Sequence, residues 1–365
     1  MDKIKKNMKI AFFHELTPLS GARKVVEEYG KILGKEHTID LYYVDDKEDV
    51  TISLFFNKIH YFKFARSNSR IYRDSISLIK LFFLHKKIAK IIKNEGYDFV
   101  FVSPSKFTQA PFILRFIDKS IYFCQEPLRI VYDPLFILPK NLNIFKRFYE
   151  KINRFNRKVI DKNNINKVKI ILANSQFSKD NIKKAYGVNA RVCYLGVDAD
   201  KFKPLKSKKS TDILFIGEKE FIEGFDLLDK TMSLYKKIPI LNFVSRDVNG
   251  VGISEKKLIS EINKSKIVLT LSKSEPFGLI PIESMACEVP VIAVNEGGFK
   301  ESVIDGKTGF LIDRKPEDLK KTINLLLVND KLIAEMGKSG RELVLNKFTW
   351  TKSANKFLSL AKTII

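Results

Sequence analysis

Two short apolar runs, Ile267-Val-Leu-Thr-Leu271 and Val291-Ile-Ala-Val294, bracket a segment that reads S-E-P-F-G-L-I-P-I-E-S-M-A-C-E-V-P over 274–290. Short, β-branched apolar runs of this kind mark buried strands. The segment between them predicts a loop and then a helix starting near Leu279. Pro281 suits the first helical turn, where a missing N–H costs nothing. Val289-Pro290 ends the helix, because the residue before a proline disfavours the helical conformation. Strand, loop, helix, strand is the unit of an α/β fold, and it limits what the rest of the chain can build.

This layout carries chemistry. Glu275 falls in the loop at the carboxyl end of a strand, where open α/β sheets bind ligands. Glu283 falls about one turn into the helix. The amides of Phe277, Gly278 and Leu279, next to Pro276, form the helix N-terminus, a ready site for an anion. Gly278 lets a ligand approach the backbone. The matching ligand offers hydroxyls to the two carboxylates and a phosphate to the amides, as a nucleoside diphosphate sugar does. The bland alternative is a solvated Glu275 and a Glu283 that only favours the helix dipole.

The 365 residues suffice for two domains of ordinary size. Cys124, Cys193 and Cys287 show no paired metal spacing and suit a reducing compartment. No signal peptide and no bilayer-spanning run is visible, so the expected location is cytoplasmic or peripheral on the inner membrane face. The net charge of +23 is uneven. Residues 1–200 hold 37 Lys/Arg against 21 Asp/Glu, with basic stretches at Asn57–Lys93 and Lys140–Lys169. Such a face attracts anionic lipid, nucleic acid or phosphorylated substrates, unless it reflects only a general Lys, Ile and Asn bias.

Further strands are expected at Lys9–Phe13, His37–Val44, Asp98–Ser103, Ser120–Cys124, Asp212–Gly217 and Ile240–Val244. A loop is expected over His14–Ser20, before a helix opening at Gly21. Ile76–Ile92 shows helical spacing with a broad apolar face, which predicts core packing with basic neighbours near a membrane. Helices are also expected at Ile253–Lys264, Pro316–Leu327, Lys331–Asn346 and Trp350–Ile364. The polar, Lys/Ser-rich Lys203–Thr211 reads as a linker.

The segment around Glu275 and Glu283 resembles the E-x7-E signature of retaining glycosyltransferases of family 4, whose members have the GT-B fold. The match includes the E-x-F-G-L core, the M-A-C tripeptide, V-P-V-I, Gly297-Gly298, Glu301 and Asp305-Gly306-Lys-Thr-Gly309-Phe-Leu311. Ala173-Asn-Ser175 with Phe177, and Leu195-Gly196-Val197-Asp198, are similar to family segments as well. The resemblance implies two Rossmann-like doubly wound domains facing across a cleft, at 1–203 and 204–349, with the helix 350–365 packing back on the first. It implies that Glu275 holds sugar hydroxyls and Glu283 the ribose of a UDP- or GDP-sugar donor. Gly21 and Gly217 would let the backbone approach that donor. Neither a metal nor a cofactor is called for.

The chain departs from the family at several positions. Ser20-Gly21-Ala22-Arg23 has one glycine where the family has two. Ser103 and Gln125 stand where the family often has histidines, with Arg129 matching a family arginine; these three are the expected acceptor contacts. Glu218 and Glu223 replace an Arg and a Lys that hold the donor diphosphate. Lys219, Arg246 or Lys273 would have to substitute. The leading expectation is a retaining hexosyl transfer to a glycan or lipid-linked acceptor at an anionic membrane. A non-catalytic relative that binds a glycan or a partner, and an epimerase, stand beside it. A nucleic-acid binder has charge alone in its favour and no motif.

Overall fold

In the computed structural model, residues 7–15, 21–48, 52, 55–65, 73–139, 141–245 and 252–365 are described. In chain order the elements are β1 (Lys9–Glu15), α1 (Gly21–Leu33), β2 (Thr38–Asp45), β3 (Lys58–Lys63), α2 (Arg73–Asn94), β4 (Phe99–Val102), β5 (Ser120–Phe123), α3 (Arg129–Tyr132), α4 (Ile144–Ile165), β6 (Ile170–Ala173), α5 (Gln176–Tyr186) and β7 (Arg191–Val192). They continue as β8 (Thr211–Ile216), α6 (Phe225–Ser233), β9 (Leu241–Val244), α7 (Glu255–Lys264), β10 (Ser265–Thr270), α8 (Leu279–Ala286), β11 (Val291–Val294), α9 (Phe299–Ser302), β12 (Gly309–Ile312), α10 (Pro316–Leu327), α11 (Asp330–Lys347) and α12 (Trp350–Ala361).

The chain divides into two compact units. The first holds residues 1–174, 178–193 and 354–365, and the second 175–177 and 194–353. Each is built on one sheet whose paired strands all run parallel. The first sheet has the order β3-β2-β1-β4-β5-β6-β7, and the second β12-β11-β10-β8-β9. Parallel strands carry helices on both faces and are buried on both, which is why their sequences are continuous apolar runs. The order reverses between β1 and β4 in the first sheet and between β8 and β10 in the second. Loops leaving the carboxyl ends on either side of such a reversal diverge and open a crevice.

The first core is aromatic. Tyr29 of α1 lies 5.9 Å from Phe101, 6.4 Å from Phe123 and 5.1 Å from Phe357 between ring centroids. Phe357 also meets Phe99 and Phe101 edge-on. The chain from Ala354 onward is thereby held in the first unit by buried rings.

Several expectations needed correction. His14 and Glu15 belong to β1 rather than to a loop, because neighbouring polar side chains satisfy both when buried. The helix α8 stops at Ala286, before Val289-Pro290. Residues 194–203, read as the end of the first domain, lie in the second unit. There the Val197 N–H donates to the Phe348 carbonyl at 2.9 Å. Several elements were not foreseen, two of them in the basic first half of the chain. β3 is an edge strand, and the basic stretch around 140–169 forms the 22-residue helix α4.

Phe357→Ala should destabilise the first unit by about 3–5 kcal/mol, as a large buried ring is lost. Chemical denaturation followed by circular dichroism checks this; an effect below about 1 kcal/mol would mean that the terminal helix adds little to that core.

Candidate functional site

Four loops converge at the carboxyl ends of the second sheet. The loop after β8, residues 217–224, meets the loop after β10, residues 271–278. The Lys273 N–H donates to the Ile222 carbonyl at 2.8 Å, and the Ser272 hydroxyl donates to Glu223 at 2.9 Å. The loop after β11 folds onto the same segment. The Gly298 N–H donates to the Glu275 carbonyl at 2.8 Å. A Cβ on Gly298 would lie 2.4 Å from the Pro276 carbonyl oxygen, so only glycine permits this approach.

Arg314, just past β12, ties the group together. Its Nε and Nη2 grip the Glu296 carboxylate at 3.0 and 2.8 Å, a two-pronged charge-assisted pair. Its Nη1 donates to the Leu271 carbonyl at 2.8 Å and Nη2 to that of Ser272 at 3.3 Å. Nothing in the local sequence marked Arg314, because its partners come from two other loops.

Within this frame Glu275 is half-buried in the β10–α8 loop, after Ser274 at φ 53°. The Pro276 carbonyl accepts from the Ser175 hydroxyl at 2.5 Å. Phe277 is buried, and its ring lies 5.9 Å from Tyr194 and 5.6 Å from Phe348. Gly278 takes φ 84°, turning the backbone sharply into α8. Leu279 opens the helix. Glu283, 1% exposed, stands four residues on and therefore on the same helix face as Leu279. The structure thus gathers Glu275, Pro276, Phe277, Gly278 and the Gly297-Gly298 backbone, with Glu283 one turn along α8.

Glu301 has a different task. It accepts from the Gln176 N–H at 2.8 Å, the Phe177 N–H at 2.9 Å and the Tyr194 hydroxyl at 3.0 Å. Burial and the Glu301 charge push the Tyr194 phenol up to about 12.

The expected donor cations fare unequally. Gly217 follows β8, and a Cβ there would lie 3.3 Å from the Glu223 carboxylate. The Ser245 hydroxyl donates to Glu218. Serine hydroxyls therefore attend both glutamates that replace the family cations. Lys219 lies over the Phe243 and Phe225 rings at 5.4 and 5.9 Å. Lys273 lies over Phe221 at 3.7 Å and pairs with Asp226 at 3.4 Å. Arg246 lies outside the described residues.

In the first unit the reversal between β1 and β4 gathers a buried polar cluster. Ser103, just after β4, holds its Oγ 2.7 Å from His14 Nδ1. The Ser105 hydroxyl donates to Glu15 at 2.7 Å, and the other Glu15 oxygen lies 3.2 Å from His85 Nε2. His14 of β1 thus places an imidazole beside the end of β4. Burial, then the Arg23 charge, lowers His14 to about 3, so its ring is neutral at physiological pH. Gly21 opens α1 beyond the undescribed 16–20. Arg129 is engaged by Asp133 at 3.0 Å and by Glu126 at 3.7 Å, and Gln125 is half-buried.

Residues 245–343 match the model of the family described as glycosyl transferases group 1. An uncharacterized glycosyltransferase of Methanocaldococcus jannaschii is 35% identical over 178 residues, covering 46% of this chain and 49% of the relative. The matched segment thus spans about half the length of that relative. Among solved structures, a glycosyltransferase from Rickettsia africae superposes with a TM-score of 0.68 at 19% identity, over 98% of each chain. Anabaena HepE in complex with UDP-glucose superposes with 0.71 at 16% identity, over 98% of this chain and 100% of that one. At such identities these likenesses bear on the fold alone.

Gly278→Ala would hold alanine at a left-handed φ with its Cβ 2.6 Å from the Phe299 ring. It should cost about 1–3 kcal/mol, read from thermal melts. Between pH 6.5 and about 3 the unfolded chain takes up a proton at His14 that the native chain refuses, so His14 lowers stability as pH falls through that window. Asp161, raised by burial to about 7, works the other way and lowers stability as pH rises from about 4 to 7. Comparison with His14→Asn isolates the first effect. From pH 6.5 to 4 the wild type should lose up to about 1.4 kcal/mol per unit more than the variant in urea titrations.

Proposed function

We propose that this chain, which has the GT-B fold and whose residues 245–343 match the model of the glycosyl transferases group 1, transfers a hexose, with retention, from a nucleotide sugar to a glycan or lipid-linked acceptor. The observation that carries the reading is the convergence of Glu275, the glycine-turned N-terminus of α8 and the Gly297-Gly298 backbone at the strand-order reversal. In this reading Glu275 receives sugar hydroxyls and Glu283 the ribose. The amides of Phe277, Gly278 and Leu279 meet the departing diphosphate, where fixed dipoles stabilise charge that develops in the transition state. UDP is the first candidate nucleotide, since the Anabaena protein of the same fold is seen with UDP-glucose.

Retention suits the polar groups of the first unit. A neutral His14 beside Ser103 can orient a hydroxyl by hydrogen bonding. If the leaving diphosphate accepts the acceptor's proton, no separate base is needed, and positioning supplies the rate. Ser103, Gln125 and Arg129 are the acceptor contacts in this reading. The expected setting is the cytoplasmic membrane face; among the described residues no helix is long and apolar enough to cross a bilayer.

A second reading has its own observation. Glu218 and Glu223 stand where the family places cations, and a carboxylate repels a diphosphate. A non-catalytic GT-B relative that binds a glycan or a partner would tolerate that. Calorimetric titration with UDP and with GDP separates the two, since a chain without a donor site gives no heat with either.

Glu275→Gln should lower turnover by about two orders of magnitude while leaving the melting temperature unchanged. Donor hydrolysis or transfer, followed with a panel of UDP- and GDP-sugars, is the measurement. Unchanged turnover would remove Glu275 from the sugar site.

A further inference from the structure

Helix α4 is built inside out. Its polar side faces the protein: Asn153, Asp161 and Asn164 are buried. The Asp161 carboxylate accepts from the Ala110 N–H at 2.7 Å and from the Tyr186 hydroxyl. The Asn164 amide donates to the Ala110 carbonyl at 2.6 Å, and Arg157 pairs with Asp74 of α2 at 2.8 Å. Its apolar side faces outward. Ile144, Phe145, Phe148, Ile152, Phe155 and Val159 are all exposed, Phe145 at 82%, Phe148 at 66% and Phe155 at 65%. At about 100° per residue these six side chains share one arc of about 100°.

The inward hydrogen bonds fix this rotation. Turning the helix to bury the phenylalanines would drag Asp161 and Asn164 away from their partners on Ala110 and Tyr186. The exposed face is therefore a property of the folded unit. Its edge is basic, with exposed Lys151, Lys158 and Lys162 beside the apolar arc. The helix carries seven Lys/Arg against Glu150 and Asp161, and Asp161 is buried. Apolar side chains flanked by lysines, on a helix that lies flat on its own domain, match the boundary between acyl chains and anionic headgroups.

We propose that the outer face of α4 docks the protein on an anionic bilayer surface, with the phenylalanines entering the headgroup boundary and the lysines meeting lipid phosphates. The inference stands on α4 and not on the transferase reading; it names the element that would hold the protein at the membrane which that reading supposes. The segment Ile76–Ile92, expected to pack in the core with basic neighbours near a membrane, presents no comparable face. Of the apolar residues in that earlier segment, Leu78, Leu81, Ile88, Ala89 and Ile92 are buried, Ile76, Phe82, Leu84 and Ile91 are half-buried, and only Ile79 and Phe83 are exposed.

The test is co-sedimentation of the full chain with vesicles of phosphatidylglycerol and phosphatidylcholine, and with phosphatidylcholine alone, at low and high salt. Binding should require the anionic lipid and weaken with salt. The double variant Phe148→Ser/Phe155→Ser should lower partitioning by about tenfold or more. Both side chains are mostly exposed, so its melting temperature and its UDP titration should match the wild type. That control separates a failure of docking from a failure of the donor site. Absence of binding to anionic vesicles at low salt overturns the proposal, as does undiminished binding by the variant. So does a stable dimer without vesicles that the variant abolishes, which would assign the face to a second copy of the chain.

Discussion

The approach of the Gly297-Gly298 backbone to residues 275–277 is the contact on which the second unit's site rests. A side chain at Gly298 would strike the Pro276 carbonyl oxygen, and one at Gly297 would strike that of Glu275. With only hydrogens there, the loops after β10 and β11 lock together through one backbone hydrogen bond. Arg314 then clamps Glu296 to the Leu271 and Ser272 carbonyls. The turn into α8, with its left-handed Gly278, is held from both sides. A helix N-terminus presented this rigidly keeps its amide dipoles aimed without further ordering, which is the condition for stabilising charge effectively.

The same economy explains two otherwise odd features. Glu218 and Glu223 take hydroxyl hydrogen bonds from Ser245 and Ser272, so carboxylates at those places stay compatible with the folded loops. Lys219 and Lys273 lie over aromatic rings, an arrangement that keeps a cation close to apolar surface. In the first unit, the His14–Ser103 and Glu15–Ser105 pairs let strand β1 carry polar residues into a buried strand-order reversal. Burial keeps His14 uncharged, which makes it a hydrogen-bonding group rather than a cation.

Much of the architecture was legible because parallel strands buried on both faces must be apolar throughout. β1, β2, β4, β5, β8, β10 and β11 all sit close to runs visible in the sequence. Glu275, Gly278 and Glu283 were legible because their spacing accompanies a loop and a helix start in one continuous segment. β3 was hidden by its half-buried mixture of aromatic and basic residues at a sheet edge. Arg314 and Glu296 were hidden because each has meaning only through another loop. α4 was hidden because its apolar and polar faces are reversed relative to its surroundings, and its composition reads as a charge run.

The family resemblance implied two doubly wound domains, and the residues by themselves determined a strand, loop, helix, strand unit with a glycine-turned helix N-terminus beside a loop glutamate. Those features depend on neighbours within about twenty residues, and period and spacing report them. Tertiary structure alone decided which loops Arg314 joins, that Glu301 caps the Gln176 and Phe177 amides, and that His14 stands beside Ser103. It also decided that the phenylalanines of α4 face outward. Each of these depends on partners far apart in the chain, or on which side of a helix finds hydrogen-bond partners in the rest of the unit, and no local pattern encodes that.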